Sequence, residues 1–406
     1  MTSIINNSNA NSALVNTLNA SDSKINPNVY STKKIYPPAA TCHTRTDLAS
    51  GTVGAGNSVV FNLLKYGIAQ QILLCYTKSG GATMEIDASD MFNVIDRIEL
   101  LSSSKVIAQL TNYDLMAQFS NLELSQYQMV GEYALNSRAA GTEAKFVVPL
   151  VFGFFKDINT NLNLQFNEPM SIRVKFGSNV TKVKAGASTG ISDVYLRMRY
   201  KAYSESDFAE IVAENYNQPE LNIMSTGFYD ESAGTLVVDA DAAAPPAAER
   251  RISVALKNTD CVNDFYVYVR QVDADGANTI TSEPLSIDTL KFTASGQEIV
   301  NLTKEELDFT RLSTNGFAVK PLVGSTGNGF ITNCYKIQTG LWEYSGGGTQ
   351  SNTLSLRELN NPIIEATFKS AAIATKTNFE IVVVEDCVKI FSTTSSNGRV
   401  QIALSN

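Results

Sequence analysis

The chain has 406 residues, and its 32 Lys and Arg residues against 40 Asp and Glu residues give a net charge of −8. At roughly 100–200 residues per domain, this length predicts two or three domains. The acidic balance argues against nucleic-acid binding through the whole surface, since such binding depends on an excess of Lys and Arg. A single histidine, His43, excludes a metal site with two or more histidine ligands within one chain.

Residues 1–40 differ in composition from the rest of the chain. They are rich in Asn, and their three lysines against Asp22 give a local charge of +2, opposite in sign to that of the whole chain. Pro37 and Pro38 prevent a helix from continuing into the body. Two interpretations stay open: a frayed terminus, or an arm that becomes ordered on a neighbouring subunit or a lipid surface.

From about residue 57 the sequence is typical of β-strands separated by turns. Residues 194–203 alternate strictly, with Arg197 and Arg199 on one face and Leu196 and Met198 on the other. This alternation indicates half-buried antiparallel strands. Further strands are expected in these runs: 59–61, 71–76, 94–101, 146–155, 162–166 and 172–176. No continuous apolar run of about 18 residues occurs, so no transmembrane helix is expected.

The two halves of the sequence resemble each other. Residues 95–115 align without a gap on residues 287–307 at a shift of 192, and 7 of the 21 positions are identical: 95, 96, 103, 107, 110, 111 and 115. Further windows match in the same order: 64–65 with 256–257, 73–76 with 265–268, 162–164 with 354–356, 167–169 with 360–362 after a one-residue insertion, and 194–203 with 380–391. This agreement predicts two copies of one β-domain.

Each copy carries the same local signal between a strand and a short helix. Thr111 is followed three residues later by Asp114, and Thr303 is followed three residues later by Glu306. This spacing predicts a capping box, in which the Thr hydroxyl accepts a backbone N–H and the carboxylate reaches back. The two carboxylates therefore have a structural explanation.

A connector helix is predicted between the copies. Ser204 can cap it with Asp207 three residues later, apolar residues at 208, 211, 212 and 216 share one face, and Pro219 ends it.

The remaining candidates for chemistry are weak. The chain has five cysteines: Cys42, Cys75, Cys261, Cys334 and Cys387. Their number is odd, their spacing is wide and no C-x-x-C motif occurs, which fits reduced thiols in a protein made in a cytosol. The adjacency of Cys42 and His43 does not orient a thiol toward an imidazole. The four other cysteines are expected to be small buried residues.

Two loop motifs are also set aside. Residues 273–278 resemble the start of a calcium loop, but the twelfth position is Pro284 rather than a glutamate, so a hairpin turn is expected. The glycines at 346–348 lack a following Lys-Ser or Lys-Thr, so they predict no phosphate loop. The sequence therefore predicts no catalytic residue, no cofactor site and no metal site, and no enzyme.

Two tandem antiparallel β-sandwiches with a connector helix and an N-terminal arm resemble the double jelly-roll major capsid proteins of viruses, a lineage that includes tectivirus-like phages and adenovirus hexon. The local carriers of the resemblance are residues 92–109, 146–176 and 194–203, and it covers about residues 41–406. It implies an all-β fold of two eight-stranded jelly rolls. The expected division is an arm at 1–40, a first jelly roll at 41–204, a connector helix at 205–220 and a second jelly roll at 221–406.

The resemblance also implies a function. We expect a homotrimer that forms a pseudo-hexagonal capsomer of an icosahedral virus, with the chain length and modest loops favouring a membrane-containing bacteriophage. Expected partners are neighbouring capsomers, minor capsid proteins and, through the arm, the internal viral membrane, without sequence-specific nucleic-acid binding. The expected location is the virion capsid after synthesis in the host cytoplasm. Two other classes stay open: a two-domain binding module such as a lectin, adhesin or receptor-binding spike, and, less favoured, an enzyme on the same fold.

Overall fold

The computed structural model describes residues 40–64, 68–79, 94–120, 143–150, 152, 169–177, 190–204, 206–207, 220–239, 248–258, 261–272, 285–308, 334–338, 354–370, 373, 376–396 and 399–404. Several sequence predictions fall outside these ranges: the arm before residue 40, the strand at 162–166, most of 151–155 in the strand expected at 146–155, the connector at 208–219, and the loops at 273–278 and 346–348. At the start of the connector, the Asp207 backbone N–H donates to the Ser204 hydroxyl at 3.1 Å, as the predicted cap requires.

The described elements are mainly strands. In chain order they are β1 (Ala40–Thr46), β2 (Ser50–Gly51), β3 (Ser58–Asn62), β4 (Ile68–Ser79), β5 (Ile95–Ser102), β6 (Lys105–Thr111), β7 (Glu143–Pro149), β8 (Met170–Phe176), β9 (Gly190–Ala202), β10 (Glu220–Val238), β11 (Ala248–Ala255), β12 (Cys261–Val272), β13 (Ile287–Ala294), β14 (Gln297–Thr303), β15 (Tyr335–Gln338), β16 (Leu354–Ser355), β17 (Ile363–Ser370), β18 (Thr377–Ser396) and β19 (Arg399–Leu404). The described helical segments are α1 (Asn112–Ser120), a 3₁₀ turn (Leu356–Glu358), residues 206–207 and residues 304–308.

The strands form four antiparallel sheets, arranged as two matching pairs. The first pair has the orders β1-β9-β4-β7 and β2-β3-β8-β5-β6, and the second has the orders β10-β18-β12-β15 and β11-β17-β13-β14. Apart from the two-residue β2, and from β16 and β19 beside the second pair, every strand of one pair has a counterpart at the same position in the other. Two four-stranded sheets in this order form a jelly roll, so the predicted double jelly roll is confirmed.

The cores follow from alternation along the strands. In β8, Ile172, Val174 and Phe176 are fully buried, and the residues between them are partly exposed. Across the second sandwich, the rings of Phe265 and Phe292 meet with their centroids 5.4 Å apart. Each sheet therefore turns one apolar face inward, which is the arrangement that the period of two predicts.

The internal repeat is exact over one part of the fold. Strands β13 and β14 begin and end 192 residues after β5 and β6, and the turn residues Ser103 and Ser295 share φ values of +54° and +53°. The same shift fails for β4 and β12. The shift of 192 aligns Leu74 with Tyr266. Leu74 lies opposite the core residue Leu196, but in β12 the residue that faces the core is Phe265, the neighbour of Tyr266. A slip of one residue exchanges the two faces of a strand, so the local alignment is off by one there.

The cysteines lie mainly in the interior. Cys75, Cys334 and Cys387 are buried, Cys42 and Cys261 are partly buried, and all five are free thiols. On β1 the neighbours Cys42 and His43 are successive residues, so their side chains point to opposite faces of the sheet and form no catalytic pair.

The hairpin between β13 and β14 gives a first test. Gly296 has φ of +74°, and an added Cβ would meet no atom within 4 Å, so a side chain there costs only conformational energy. We expect Gly296→Ala to lower the free energy of unfolding by about 1–2 kcal/mol. Ser104 occupies the equivalent position and is not among the residues with positive φ. Ser104→Ala is therefore the control, and equal losses in denaturant unfolding of the two variants would contradict the argument.

Candidate functional site: the junction between the jelly rolls

The two jelly rolls meet at a polar junction. Strand β6 and helix α1 of the first roll lie against the outer face of the sheet β10-β18-β12 of the second roll, with contacts of β6 to β10 and of α1 to β18. We call this contact the junction. The hydroxyl of Thr111, at the end of β6, donates a hydrogen bond across it to the carboxylate of Glu231 on β10.

The predicted capping boxes form the frame of this contact. The Thr111 N–H donates to Asp114 Oδ2 at 2.8 Å, and the Asp114 N–H donates to Thr111 Oγ1 at 3.3 Å. In the second roll the Thr303 N–H and hydroxyl both donate to Glu306 Oε2, at 2.8 and 3.0 Å. The first box is confirmed in full. In the second box the carboxylate reaches back as predicted, but the Thr303 hydroxyl donates to that carboxylate instead of accepting a backbone N–H. The sequence did not indicate that the first box also carries the contact between the rolls.

Arg270 on β12 is the cation of the junction. It is 6% exposed, its Nε donates to Glu380 on β18 at 2.7 Å, and its Nη2 donates to the Tyr113 hydroxyl of α1. The guanidinium carbon also lies 4.8 Å from the centre of the Tyr113 ring, which in turn lies 5.8 Å from the ring of Tyr268. One buried side chain thus links three elements from both rolls through ionic, hydrogen-bond and cation–π contacts.

Two carboxyl groups share the other side of the junction. Asp114 is 1% exposed, and burial followed by the nearby charge of Glu231 raises the pKa of its carboxyl well above the ordinary value. The pKa of Glu231 is also raised, first by desolvation of its carboxyl at the junction and then by the charges of Asp230 and Glu380. Two neighbouring carboxyl groups cannot both ionise cheaply, so the pair holds a proton that an isolated carboxyl would release.

The phenol of Tyr113 is likewise removed from water. Burial raises its pKa to about 12, against the opposing charge of Arg270, so the hydroxyl stays neutral and accepts from the guanidinium. The junction therefore holds two domains in one orientation through desolvated polar contacts.

In the described part of the chain, no group of three or more His, Cys, Asp or Glu residues is placed to hold a metal ion. No helix among the described residues is long and apolar enough to cross a membrane.

The fold of this chain resembles known structures. No protein-family model and no curated protein matches the sequence. The capsid of the virus PBCV-1 aligns with a TM-score of 0.64 at 14% identity, over 92% of this chain and 100% of that chain. The Faustovirus major capsid protein aligns at 0.61 and 9% identity, over 89% and 92%, and the mavirus major capsid protein at 0.53 and 12%, over 92% of each chain.

These similarities extend over both jelly rolls and leave little of either chain unmatched. The chain therefore has the double jelly-roll fold of viral major capsid proteins, as the resemblance predicted.

A mutation at Arg270 tests the role of the junction. Arg270→Met leaves the carboxylate of Glu380 largely buried without its cation, so we expect the free energy of unfolding to fall by about 3–5 kcal/mol. The double variant Arg270→Met, Glu380→Gln removes both charges and should regain much of that loss in denaturant unfolding. A double variant as unstable as the single one would show that packing of the arginine, and not its charge, stabilises the junction.

The raised pKa of Asp114 predicts a pH dependence. Between the unfolded and folded pKa values the folded chain binds more protons, so the stabilisation is complete below about pH 4 and is lost as the pH rises through the folded value. Asp114→Asn keeps an oxygen for the Thr111 N–H but cannot titrate. Relative to this variant, the wild type should lose up to about 1.4 kcal/mol per pH unit above pH 4 in urea unfolding.

The matched control lies in the second roll. Glu306 has a lowered pKa because it accepts two hydrogen bonds from Thr303, so its contribution is present above the unfolded pKa and is lost as the pH falls. Glu306→Gln should therefore differ from the wild type with the opposite pH trend. Unfolding curves of Asp114→Asn that run parallel to the wild type at every pH would refute the shared-proton interpretation.

Proposed function

We propose that this chain is the major capsid protein of an icosahedral virus, with a structural and non-catalytic role. The observation that carries the proposal is the pair of equivalent jelly rolls held in a fixed relation by the junction. It is supported by similarity of fold to proteins whose names identify them as capsids, over at least 89% of this chain.

The proposed assembly is a homotrimer with a pseudo-hexagonal outline. A capsid facet is tiled most simply by hexagonal units, and a chain with two similar lobes supplies six lobes from three copies. The matching strand orders of the two rolls support this, because the lobes must present equivalent surfaces to be nearly interchangeable. Division of the chain at residues 40, 204 and 220 is part of the same proposal.

The proposal extends to partners outside the trimer. Neighbouring capsomers and minor capsid proteins would contact the outside of the trimer, and residues 1–40, with a local charge of +2, would contact a neighbouring subunit or the internal membrane. The modest chain length supports a membrane-containing bacteriophage as the source. The free thiols fit synthesis in a host cytoplasm before incorporation into the virion.

Mass measurement separates this proposal from a two-domain binding module. We expect light scattering of the purified chain at micromolar concentration to give three times the 44.0 kDa of one subunit, and negative-stain images to show pseudo-hexagonal particles. A lectin or adhesin of this fold would act as an elongated monomer with ligands at its loop tips. A stable monomer at these concentrations would overturn the capsid proposal.

A further inference from the structure

Each jelly roll has two surfaces that can be compared between the two copies. One is the edge made by its second hairpin and the following helix, and the other is the outer face of the sheet on the opposite side of the sandwich. The junction joins the edge of the first roll to the outer face of the second roll. The edge of the second roll and the outer face of the first roll are the equivalent surfaces, and among the described residues nothing is seen to cover either one.

Equivalent side chains on the two edges differ in how far they are exposed to solvent. Ile107 on β6 is 5% exposed, whereas Ile299, at the equivalent position on β14, is 47% exposed. Asp114 is buried in the junction, whereas its equivalent Glu306 is exposed. Strand β14 thus presents Ile299 to solvent among the described residues, whereas the equivalent Ile107 on β6 is buried.

The open edge is acidic. We define the acidic edge as β14 together with the helical residues 304–308. It carries Glu298, Glu305, Glu306 and Asp308 against Lys304, and its three glutamates are exposed. Hydrogen bonds from Thr303 lower the pKa of Glu306, so its charge is retained. Glu305 occupies the position at which Tyr113, in the first roll, reaches Arg270.

The open face is basic. We define the basic face as the outer surface of β1 and β9, where cross-strand pairing sets Arg45 opposite Arg197 and His43 opposite Arg199, with Lys201 following. Arg45 pairs with Asp47 and Asp193 on the same surface, at 2.8 and 3.1 Å. Among the described residues neither Arg197 nor Arg199 has an ion-pair partner, and like charges on facing strands are unfavourable until a counter-charge arrives.

We propose that the acidic edge of one chain docks on the basic face of a second copy of this chain, repeating between molecules the contact that the junction makes within one. The proposal rests on the proposed function, because it assigns the surfaces through which the capsid trimer closes. The contact is heterologous, joining two different surfaces, and such a contact builds a closed ring when the repeated rotation returns to its start. Its occupant is fixed by the equivalence of the edges and by the opposite charges of the two open surfaces.

The polar content of the two contacts differs. At the junction Arg270 and Asp114 are buried, and both have hydrogen-bond partners within the chain. The proposed contact pairs exposed ionised groups, so it should steer association and weaken with salt, because screening acts on exposed charges. Assembly between copies would then be reversible under conditions that leave each chain folded.

The test reverses charges on the full-length chain. Arg199→Glu on the basic face and Glu305→Lys on the acidic edge should each raise the trimer dissociation concentration at least about tenfold, because each places like charges in contact. The double variant should return toward the wild-type value. Arg251→Glu, whose side chain is 65% exposed on β11 away from both surfaces, is the control and should leave the trimer unchanged.

A second measurement does not depend on the stability of variants. A carbodiimide joins carboxylates directly to amines, so wild-type trimers should give a peptide containing Glu305 linked to a peptide containing Lys201 of another copy. If either reversal variant is misfolded by circular dichroism, Arg199→Gln and Glu305→Gln replace them with smaller expected shifts.

The outcomes separate this inference from the function on which it rests. Trimers that form normally in both reversal variants, without the expected cross-link, would overturn the assignment of these surfaces and leave the capsid proposal standing. A wild-type chain that never associates would overturn both. Loss of the trimer in each single variant, its recovery in the double variant and the expected cross-link would together establish the contact.

Discussion

The guanidinium of Arg270 sets the relation between the two halves of this chain. It is nearly fully buried, so water cannot replace any hydrogen bond that it lacks, and each missing bond would destabilise the folded chain. Glu380 neutralises it within the second roll, and Tyr113 supplies both an oxygen and a ring face from the first roll. Because each partner must lie in its place for the cation to be satisfied, the contact fixes one orientation of the rolls.

Duplication explains why the same elements serve two purposes. The capping box at the end of β6 starts a helix, as its copy does at the end of β14, and this purely local role was readable from the spacing of Thr and a carboxylate. In the first roll Asp114 is also buried and Thr111 donates a further bond to Glu231, and burial followed by the nearby charge of Glu231 raises the pKa of the Asp114 carboxyl. Tyr113 and Asp114 stand in the first roll where the second roll has Glu305 and Glu306. The turn is therefore acidic and exposed in the second roll, whereas in the first roll it forms a contact with the other roll.

Local patterns in the sequence predicted the strands from β3 to β9, the repeat, the first capping box and the two faces of β9, but not β1 and β2, which lie before residue 57. They could not predict the junction, because its members, Thr111, Glu231 and Arg270, are far apart in sequence and belong to different sheets. Each has an ordinary local explanation: a cap, a charged strand residue and a basic strand residue. The off-by-one alignment of β4 with β12 has the same origin, since only the opposing sheet shows which face of Tyr266 is outward.

The two copies have diverged in charge in a way that intrachain packing does not require. An exposed sheet face and an exposed helix start could each carry charges of both signs. Instead, Arg197 and Arg199 concentrate positive charge on the basic face, and Glu305 and Glu306 concentrate negative charge on the acidic edge. Like charges that lie close together repel and lower the stability of the folded chain, and contact with a surface of opposite charge offsets this repulsion. A chain with one buried interface between its jelly rolls and one exposed, charged copy of that interface is suited to fold as a monomer first and to associate with other copies afterwards.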